Sequence, residues 1–257
     1  MFLKMPRRAG LCVVLLLSGC PIAGRLSAQE PYDSVTGAQI DVFYQSGVPR
    51  SDAEAVLAFL ERDGQRLASR LGMPSPQHVE VRIHASTGKF MSETSTRDPW
   101  RGSKLVKGVL HVQPVQQLRR DGKLNMWLSA GFVEAFLDSS VRRGCPLWLR
   151  EAFAAQWAGE TAGLKPPRGF KLSSFSDLVQ IMQDNPEPPR RDDVRFVLAQ
   201  TMKFFMKKYG TRKSYAVFGK FDGSTTVETL FKKHFGDDYT AIERSWSKYV
   251  MSLIPMK

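Results

Sequence analysis

The hydrophobic pattern of the chain is densest at residues 124–157, where two helical segments are apolar on nearly every side. A short polar break containing Gly and Pro separates them. A helix that is apolar all round is normally buried in the core of a domain. Each segment nevertheless carries a carboxylate within its apolar sequence, Glu134 in the first and Glu151 in the second. The pattern therefore predicts two buried helices that bring acidic side chains into the interior.

Before this helix pair, the alternation of apolar and polar residues predicts strands, and one longer segment has a helical period. Ser51, with Glu54 three residues later, has the form of a capping box, so we expect a helix from Ser51 to about Leu71. Residues 86–103 are expected to form a loop. The expected strands are 39–45, 79–85 and 106–114.

After the helix pair, helical patterns continue to the end of the chain. We expect helices at 172–182, 192–208, 211–221 and 225–234, and a last helix that begins at Asp238. Strand, helix, strand, strand and then helices is the order of an α+β fold. Because 42% of the residues are apolar, the chain can bury a substantial core and does not have the composition of a disordered protein.

The two buried glutamates are the first indication of a site. A carboxylate in an apolar interior must pair with a cation, ligate a metal or take up a proton. The simplest interpretation pairs Glu134 and Glu151 with arginines, for which Arg142, Arg143 and Arg150 are close in sequence. An acid/base pair of the glycosidase kind is an alternative, since such enzymes place two carboxylates about 5–9 Å apart.

The same stretch resembles the zinc site of the gluzincin-type metallopeptidases, the peptidase MA-like family. In that family one helix carries His-Glu-x-x-His, and a later Trp-Leu-x-Glu helix supplies the third zinc ligand. The matching segments are LSAGFVEA at 128–135 and PLWLREA at 146–152. Ala130 and Gly131 stand where the first His and the general base would be, Glu134 replaces the second His, and Glu151 matches the third ligand. The resemblance implies a degenerate member that lacks the zinc ligands and the base.

The resemblance covers about residues 38–253 and implies a small mixed sheet packed on a mainly helical, gluzincin-like domain. It also implies a cleft beside an edge strand, where an extended peptide would bind by strand addition. Val109–Val112 is the strand expected at that edge. Trp148, Val109 and His111 are the residues expected to line the cleft.

The position of the lost zinc site predicts a filled pocket. A Gly inside a helix costs about 1 kcal/mol relative to Ala, so Gly131 indicates either close packing or room for a ligand. With Ala130 beside it, the pocket would be shallow and apolar. We expect a neighbouring side chain, Phe90 or Trp100, to fill it.

The N-terminus has the form of a bacterial lipoprotein signal. A basic start is followed by an apolar run at 11–17, too short to span a bilayer, and LSGC at 17–20 resembles the lipobox. The resemblance implies lipidation of Cys20, and Pro21 in place of Asp favours the outer membrane. Cleavage after Ala28, giving a soluble secreted or periplasmic form, is the alternative. We expect a signal peptide at 1–19, a tether at 20–38 and a domain at 39–257.

The charge of the chain narrows the class of partner. The net charge is +12, and loss of Lys4, Arg7 and Arg8 with the signal peptide leaves about +9. Anionic lipid, cell-wall polymer and nucleic acid are the partners that such a charge favours. The envelope location argues against nucleic acid, and no nucleic-acid-binding motif is visible. The basic clusters at 165–171, 189–191 and 203–213 are expected to form a solvated basic face.

The cysteines agree with this location. Cys12 leaves with the signal peptide and Cys20 would carry lipid, so Cys145 alone remains and no disulfide framework can form. A lone Cys beside a buried helix is typically a small core residue.

The sequence therefore predicts a catalytically inactive, peptidase-like lipoprotein of the cell envelope. It would bind or scaffold a peptide or protein partner, with no cofactor, and face the periplasm or the cell surface from the outer membrane. An active hydrolase is the alternative, working by acid/base chemistry through Glu134 and Glu151 or as a metallopeptidase with rearranged ligands. In the rearranged site these two glutamates would join histidines drawn from His78, His84, His111 and His234. A purely structural envelope protein is a third interpretation.

Overall fold

A five-stranded mixed sheet occupies the N-terminal half of the domain. The computed structural model describes residues 32–74, 78–96, 101–140, 144–159, 164–167, 171–183 and 190–255. The strands run in the order β1-β2-β3-β5-β4, with β2, β3 and β5 parallel and the two outer strands antiparallel to their neighbours. Their bounds are Tyr32–Thr36 (β1), Ile40–Gln45 (β2), Val79–Ile83 (β3), Ser103–Val106 (β4) and Val109–Val112 (β5).

Helices form the rest of the described chain. A short 3₁₀ turn at Phe218–Lys220 lies between the eighth and ninth of them. The bounds are Arg50–Leu71 (α1), Thr87–Thr94 (α2), Val115–Arg120 (α3), Leu124–Ser140 (α4), Leu147–Trp157 (α5), Phe175–Gln183 (α6), Arg190–Tyr209 (α7), Thr211–Ala216 (α8), Val227–Phe235 (α9) and Tyr239–Ser252 (α10). All five strands come before α3, and a run of helices follows them. This order makes an α+β fold, as the sequence predicts.

The core lies where one face of the sheet meets the helices. Alternate strand residues point to the same face of a sheet, and Val42, Val81 and Leu110 are aligned across β2, β3 and β5 with no exposed surface. Helix α1 packs on β1 and β2, and α4 packs on β4 and β5. Helix α5 then lies between α4 and α7. The helix pair of the apolar stretch is therefore the centre of the domain.

Aromatic rings fill the C-terminal half. The ring of Trp148 stacks on that of Phe175 with a centroid distance of 4.0 Å and an interplanar angle of 3°. Trp246 packs on Phe175 from α10, with its centroid 4.5 Å away, and donates its Nε1–H to Thr201 at 2.9 Å. A buried Trp normally satisfies its N–H in this way. These contacts join α5, α6, α7 and α10 into one layer behind α4.

Two elements correct the sequence prediction at the start of the sheet. Residues 32–36, expected in the tether, form β1 and pair with β2 from Tyr32↔Gln45 to Thr36↔Asp41. The turn between them is closed by the Gly37 amide, which donates to the Ile40 carbonyl at 2.8 Å. The strand has only five residues and is followed by Gly37, so its alternating pattern is too short to recognise in the sequence.

The expected capping box of α1 does not form. The helix begins at Arg50 after Pro49, whose side chain provides no cap hydrogen bond. Pro locks its own φ and favours the turn before a helix, so Ser51 lies inside the first turn. Glu54 instead accepts a hydrogen bond from Arg50 at 2.8 Å.

The segment expected as a loop, 86–103, contains helix α2. Ser86 is its N-cap and accepts from the Lys89 amide at 3.3 Å. Gly88 lowers the helical propensity of the first turn and obscured the signal. The strand expected at 106–114 is in fact the turn and second strand of the β4–β5 hairpin. Lys107 and Gly108 both have positive φ, 50° and 81°, as a tight two-residue hairpin turn requires.

The described residues belong to one unit, Pro31–Lys257. Among the described helices, none combines the length and the apolar character that crossing a bilayer would need. The predicted signal peptide, and Cys20 with it, lies outside the described residues.

Candidate functional site

Three of the four positions predicted from the resemblance to be a degenerate zinc site, Ala130, Gly131 and Glu134, lie on α4, and the fourth, Glu151, lies on α5. Gly131 faces the β4–β5 hairpin. A Cβ atom on Gly131 would come within 2.6 Å of both Leu110 Cδ1 and Ser103 Oγ. Glycine is therefore required for the sheet to lie this close to the helix. Ala130 is also buried. The space where a catalytic base would project is filled by Leu110 and Ser103.

The filling residues correct the sequence prediction, which named Phe90 or Trp100. Phe90 is fully buried beside His84, with ring centroids 5.8 Å apart, and so packs elsewhere. Trp100 lies outside the described residues. The Ser103 hydroxyl also donates to the Trp127 carbonyl of α4 at 2.7 Å, which fastens the start of β4 to the helix.

Glu134 is held in an ion pair. Arg101 Nη2 donates to Glu134 Oε1 at 3.1 Å, and Arg101 Nε donates to the Ser103 carbonyl at 3.0 Å. The prediction that Glu134 pairs with an arginine is confirmed, but the partner is Arg101. Of the arginines named from the sequence, Arg150 lies 3.6 Å from Asp138, and the other two, Arg142 and Arg143, lie outside the described residues. Glu151 is half-buried on α5.

The three expected cleft residues do not share a cleft. Trp148 is only 3% exposed because it stacks within the aromatic layer. Val109 and His111 lie on β5, which pairs with β3 on one side and β4 on the other. The prediction that Val109–Val112 is an edge strand is therefore wrong, and β4 is the edge strand on that side of the sheet. The guanidinium of Arg101 already occupies the Ser103 carbonyl of that edge strand.

A different polar cluster lies on the opposite face of the sheet. His84 directly follows β3, His111 belongs to β5, and Glu93 comes from the last turn of α2. One ligand-type atom from each of the three side chains lies within 4.8 Å of the others. His84 Nε2 and His111 Nδ1 are 2.9 Å apart, and His84 Nδ1 is 3.8 Å from Glu93 Oε1. We call these three residues the histidine cluster.

Two further side chains hold the carboxylate of this cluster. Tyr32 Oη donates to Glu93 Oε1 and Oε2 at 2.9 and 3.0 Å, and Gln45 Nε2 donates to Oε1 at 3.1 Å. The other end of the Gln45 amide accepts from the Ala85 amide at 3.0 Å. Hydrogen bonds therefore connect Glu93 to β1 and β2 directly, and to the segment after β3 through Gln45.

Burial keeps both imidazoles neutral. Desolvation lowers the pKa of His84 to about 3, aided by His111 and Arg82, and desolvation also lowers the pKa of His111. A neutral imidazole has one bare nitrogen lone pair, which is the form that binds a metal. Cys145 shows the corresponding effect for a thiol, because burial raises its pKa to about 12.

Sequence reasoning placed His84 and His111 on strands but did not join them. The signal was available in the alternation of β3, because His84 continues the face of Arg82, which is aligned with His111 in the sheet. Glu93 could not be added to the cluster from the sequence, because residues 86–103 were interpreted as a loop. Part of this segment is in fact α2, which lies on the same face of the sheet as His84 and His111.

A basic groove lies between the C-terminal end of α1 and helix α8. Two adjoining hollows of about 610 and 300 Å³ share Arg70, Thr211 and Tyr215. Arg66, Arg212 and Lys220 add three more cations to the walls. Arg66 packs over the Trp157 ring at 4.6 Å and pairs with Asp63. Arg70, Arg212 and Lys220 form no ion pair with any described carboxylate.

Comparison with models of known protein families gives no match to this chain, and comparison with curated protein sequences gives none either.

Proposed function

We propose that this chain is a non-hydrolytic binding protein of the cell envelope, lipid-anchored through Cys20, with a degenerate peptidase MA-like domain. The observation that carries the proposal is the closure of the α4 face at Gly131. A general base must reach into a space beside its substrate, and Leu110 and Ser103 occupy that space.

The pairing of Glu134 supports the same proposal. A general acid or base must reach the proton that it transfers, whereas the Glu134 carboxylate already accepts a hydrogen bond from Arg101 at 3.1 Å. Arg101 also keeps the Ser103 carbonyl from pairing with an added strand. Neither acid/base chemistry at Glu134 nor strand addition at this end of β4 fits these contacts.

The basic groove is the place where we propose that a partner binds. Three of its exposed cations, Arg70, Arg212 and Lys220, form no ion pair with a described carboxylate. Its hydroxyls, Ser69 and Thr211, can donate hydrogen bonds. The ring of Tyr215 provides an apolar floor. Cations around an aromatic floor suit an acidic, extended segment of another envelope protein.

The test is binding of a fluorescent Glu-rich peptide to the full chain, followed by anisotropy. Replacing Arg70→Glu together with Arg212→Glu should weaken binding about tenfold or more, because each exposed ion pair contributes up to about 1 kcal/mol and each reversal adds repulsion. Raising the salt concentration should weaken the wild-type complex as well. The peptide should remain intact during the measurement.

The matched control reverses two cations on α10, Arg244→Glu and Lys248→Glu, which changes the net charge equally. This control should bind the peptide like the wild type. Equal loss in both double variants would show that only net charge matters and would overturn the groove. Peptide cleavage that disappears in Glu134→Gln would overturn the non-hydrolytic proposal and favour the hydrolase alternative.

A further inference from the structure

We propose that the histidine cluster binds a divalent transition metal of the zinc class, with His84, Glu93 and His111 as its protein ligands. The cluster lies on the face of the sheet turned away from α4, so it shares no residue with the degenerate zinc positions or with the basic groove. The proposal is therefore independent of the function proposed above.

The spacing of the ligand atoms fits a metal ion. Two ligands at 2.0–2.1 Å from a tetrahedral zinc are about 3.3 Å apart. The nearest nitrogens of the histidine pair are 2.9 Å apart, and His84 Nδ1 and Glu93 Oε1 are 3.8 Å apart. These two distances start from different nitrogens of His84, and a single ion takes only one of them. One ligand atom from each of the three side chains lies within 4.8 Å of the others, so the cluster would contract by up to about 1.5 Å to reach the spacing of a tetrahedral zinc site.

A buried nitrogen without a partner is the second observation. His84 is fully buried, and its Nδ1 has no hydrogen-bond partner. A buried polar atom left unpaired costs about 1–3 kcal/mol, so each one needs an explanation. His84 Nδ1 faces the Glu93 carboxylate, and the hydrogen bond between His84 Nε2 and His111 Nδ1 would open for His111 to ligate the same ion. A cation between His84 Nδ1 and the carboxylate would satisfy both groups.

The Glu93 carboxylate is oriented by hydrogen bonds from neighbouring side chains, as metal-ligating groups usually are. Outer-shell hydrogen bonds orient ligating groups in metal sites, and the Tyr32 hydroxyl and the Gln45 amide both donate to the Glu93 carboxylate. Phe90 packs edge-on against the His84 ring and limits its rotation. The Glu93 side chain remains 32% exposed, which leaves a path from solvent to the buried nitrogens.

The charge and the type of the ligands indicate which metal ions the site would bind. Two neutral imidazoles and one carboxylate leave a divalent ion with one net positive charge. Arg82 and Lys104 oppose a cation here, but Arg82 is paired with Glu80 at 2.7 Å and Lys104 is turned to the Thr94 carbonyl at 2.9 Å. Imidazole ligands favour zinc, copper, iron or nickel over calcium and magnesium. Three protein ligands would leave one coordination position open.

The test titrates the full chain, purified in detergent and stripped of metal, with Zn²⁺ against a chromogenic chelator. Co²⁺ absorption provides a second readout of the coordination. We expect one equivalent of metal in the wild type and about 100-fold weaker binding or more in Glu93→Gln and His111→Gln, since even outer-shell changes cost 10–100-fold. His78→Gln and His234→Gln, which alter one exposed and one half-buried histidine outside the cluster, should bind the metal as the wild type does.

Thermal unfolding with and without Zn²⁺ separates binding from folding. A metal that binds only the folded state raises the Tm, and Glu93→Gln should fold normally yet lose this rise, because its partly exposed amide keeps an oxygen for Tyr32. Wild-type protein that takes up no metal would overturn the proposal. So would binding that is equal in Glu93→Gln, or binding that is lost in His78→Gln or His234→Gln. If His111→Gln does not fold, the result for Glu93→Gln alone decides.

Discussion

At the scale of single residues, Asp63 is the buried acid that holds the helices together. It is 4% exposed on α1 and is paired with Arg66. Its Oδ2 accepts from Ser129 of α4 at 2.9 Å and from the Trp157 indole of α5 at 3.1 Å. One carboxylate therefore joins three helices, and it is neither Glu134 nor Glu151, the acids that the sequence pattern emphasised.

We expect Asp63→Ala to lower the free energy of unfolding by about 2 kcal/mol or more, since Ser129 and Trp157 would lose the acceptor of their hydrogen bonds. Asp63→Asn keeps one acceptor oxygen and should cost about 1–2 kcal/mol. Urea unfolding followed by Trp fluorescence measures both. A loss below about 0.5 kcal/mol in Asp63→Ala, which is typical of a surface change, would contradict the structural role.

The close packing around Gly131 leads to a second prediction for a single residue. Gly131→Ala gains up to about 1 kcal/mol in helix propensity, but its methyl group meets Leu110 and Ser103 at 2.6 Å. Overpacking of this kind costs about 1–3 kcal/mol, so the variant should be less stable than the wild type by thermal unfolding.

The control for this variant is Gly88→Ala on α2. There the nearest atom to an added Cβ is Ser86 Oγ at 3.9 Å, so nothing opposes the gain in propensity. Gly88→Ala should be as stable as the wild type or more so. A rise in Tm for both alanine variants would show that the α4 face has room beside Gly131.

At the scale of elements, the start of α6 depends on an exposed carboxylate. Asp177 accepts from the Ser173 amide at 2.8 Å, the Ser173 hydroxyl at 2.7 Å and the Ser174 amide at 3.0 Å. These bonds lower the pKa of Asp177 to about 2. The folded pKa lies below the unfolded value of about 3.9, so the stabilisation is present above that pH and is lost as the pH falls through about 2.

We therefore expect Asp177→Asn to lower the Tm at pH 6, and the difference from the wild type to vanish as the pH approaches 2. Asp192→Asn is the comparison, because that exposed acid also lies in the first turn of a helix but pairs with Arg195 at 3.5 Å instead of capping amides. A Tm difference for Asp177→Asn that does not change between pH 6 and pH 2 would contradict the assigned hydrogen bonds.

The sequence predicted helices and strands correctly where the spacing of apolar residues repeated several times. The helix expected at 192–208 is observed as Arg190–Tyr209, and the strand expected at 79–85 as Val79–Ile83. The prediction failed at short elements, where Gly and turn residues interrupt the apolar spacing before it can repeat. Examples are β1, α2 and the hairpin turn at Lys107–Gly108. Such elements are fixed by pairing with distant strands, which no local pattern reports.

At the scale of the whole molecule, the sequence located the core but not the polar clusters. The high proportion of apolar residues at 124–157 predicted that α4 and α5 lie in the core, and both helices do. The histidine cluster combines side chains from α2, β5 and the end of β3, and the basic groove combines α1 with α8. Residues so far apart meet only through tertiary folding. Sequence reasoning could identify the residue types and could not supply the contacts.

The packing of the β4–β5 hairpin on α4 has a consequence for protein engineering. Writing a zinc-peptidase motif into the helix, with Ala130→His, Gly131→Glu and Glu134→His, would supply the required residue types but not the space for their side chains. A glutamate at position 131 would collide with Leu110 and Ser103 at its first side-chain carbon, and Arg101 would lose the anion that it binds. A successful redesign would have to trim the hairpin first, because the sheet and not the helix decides whether this face can hold a catalytic group.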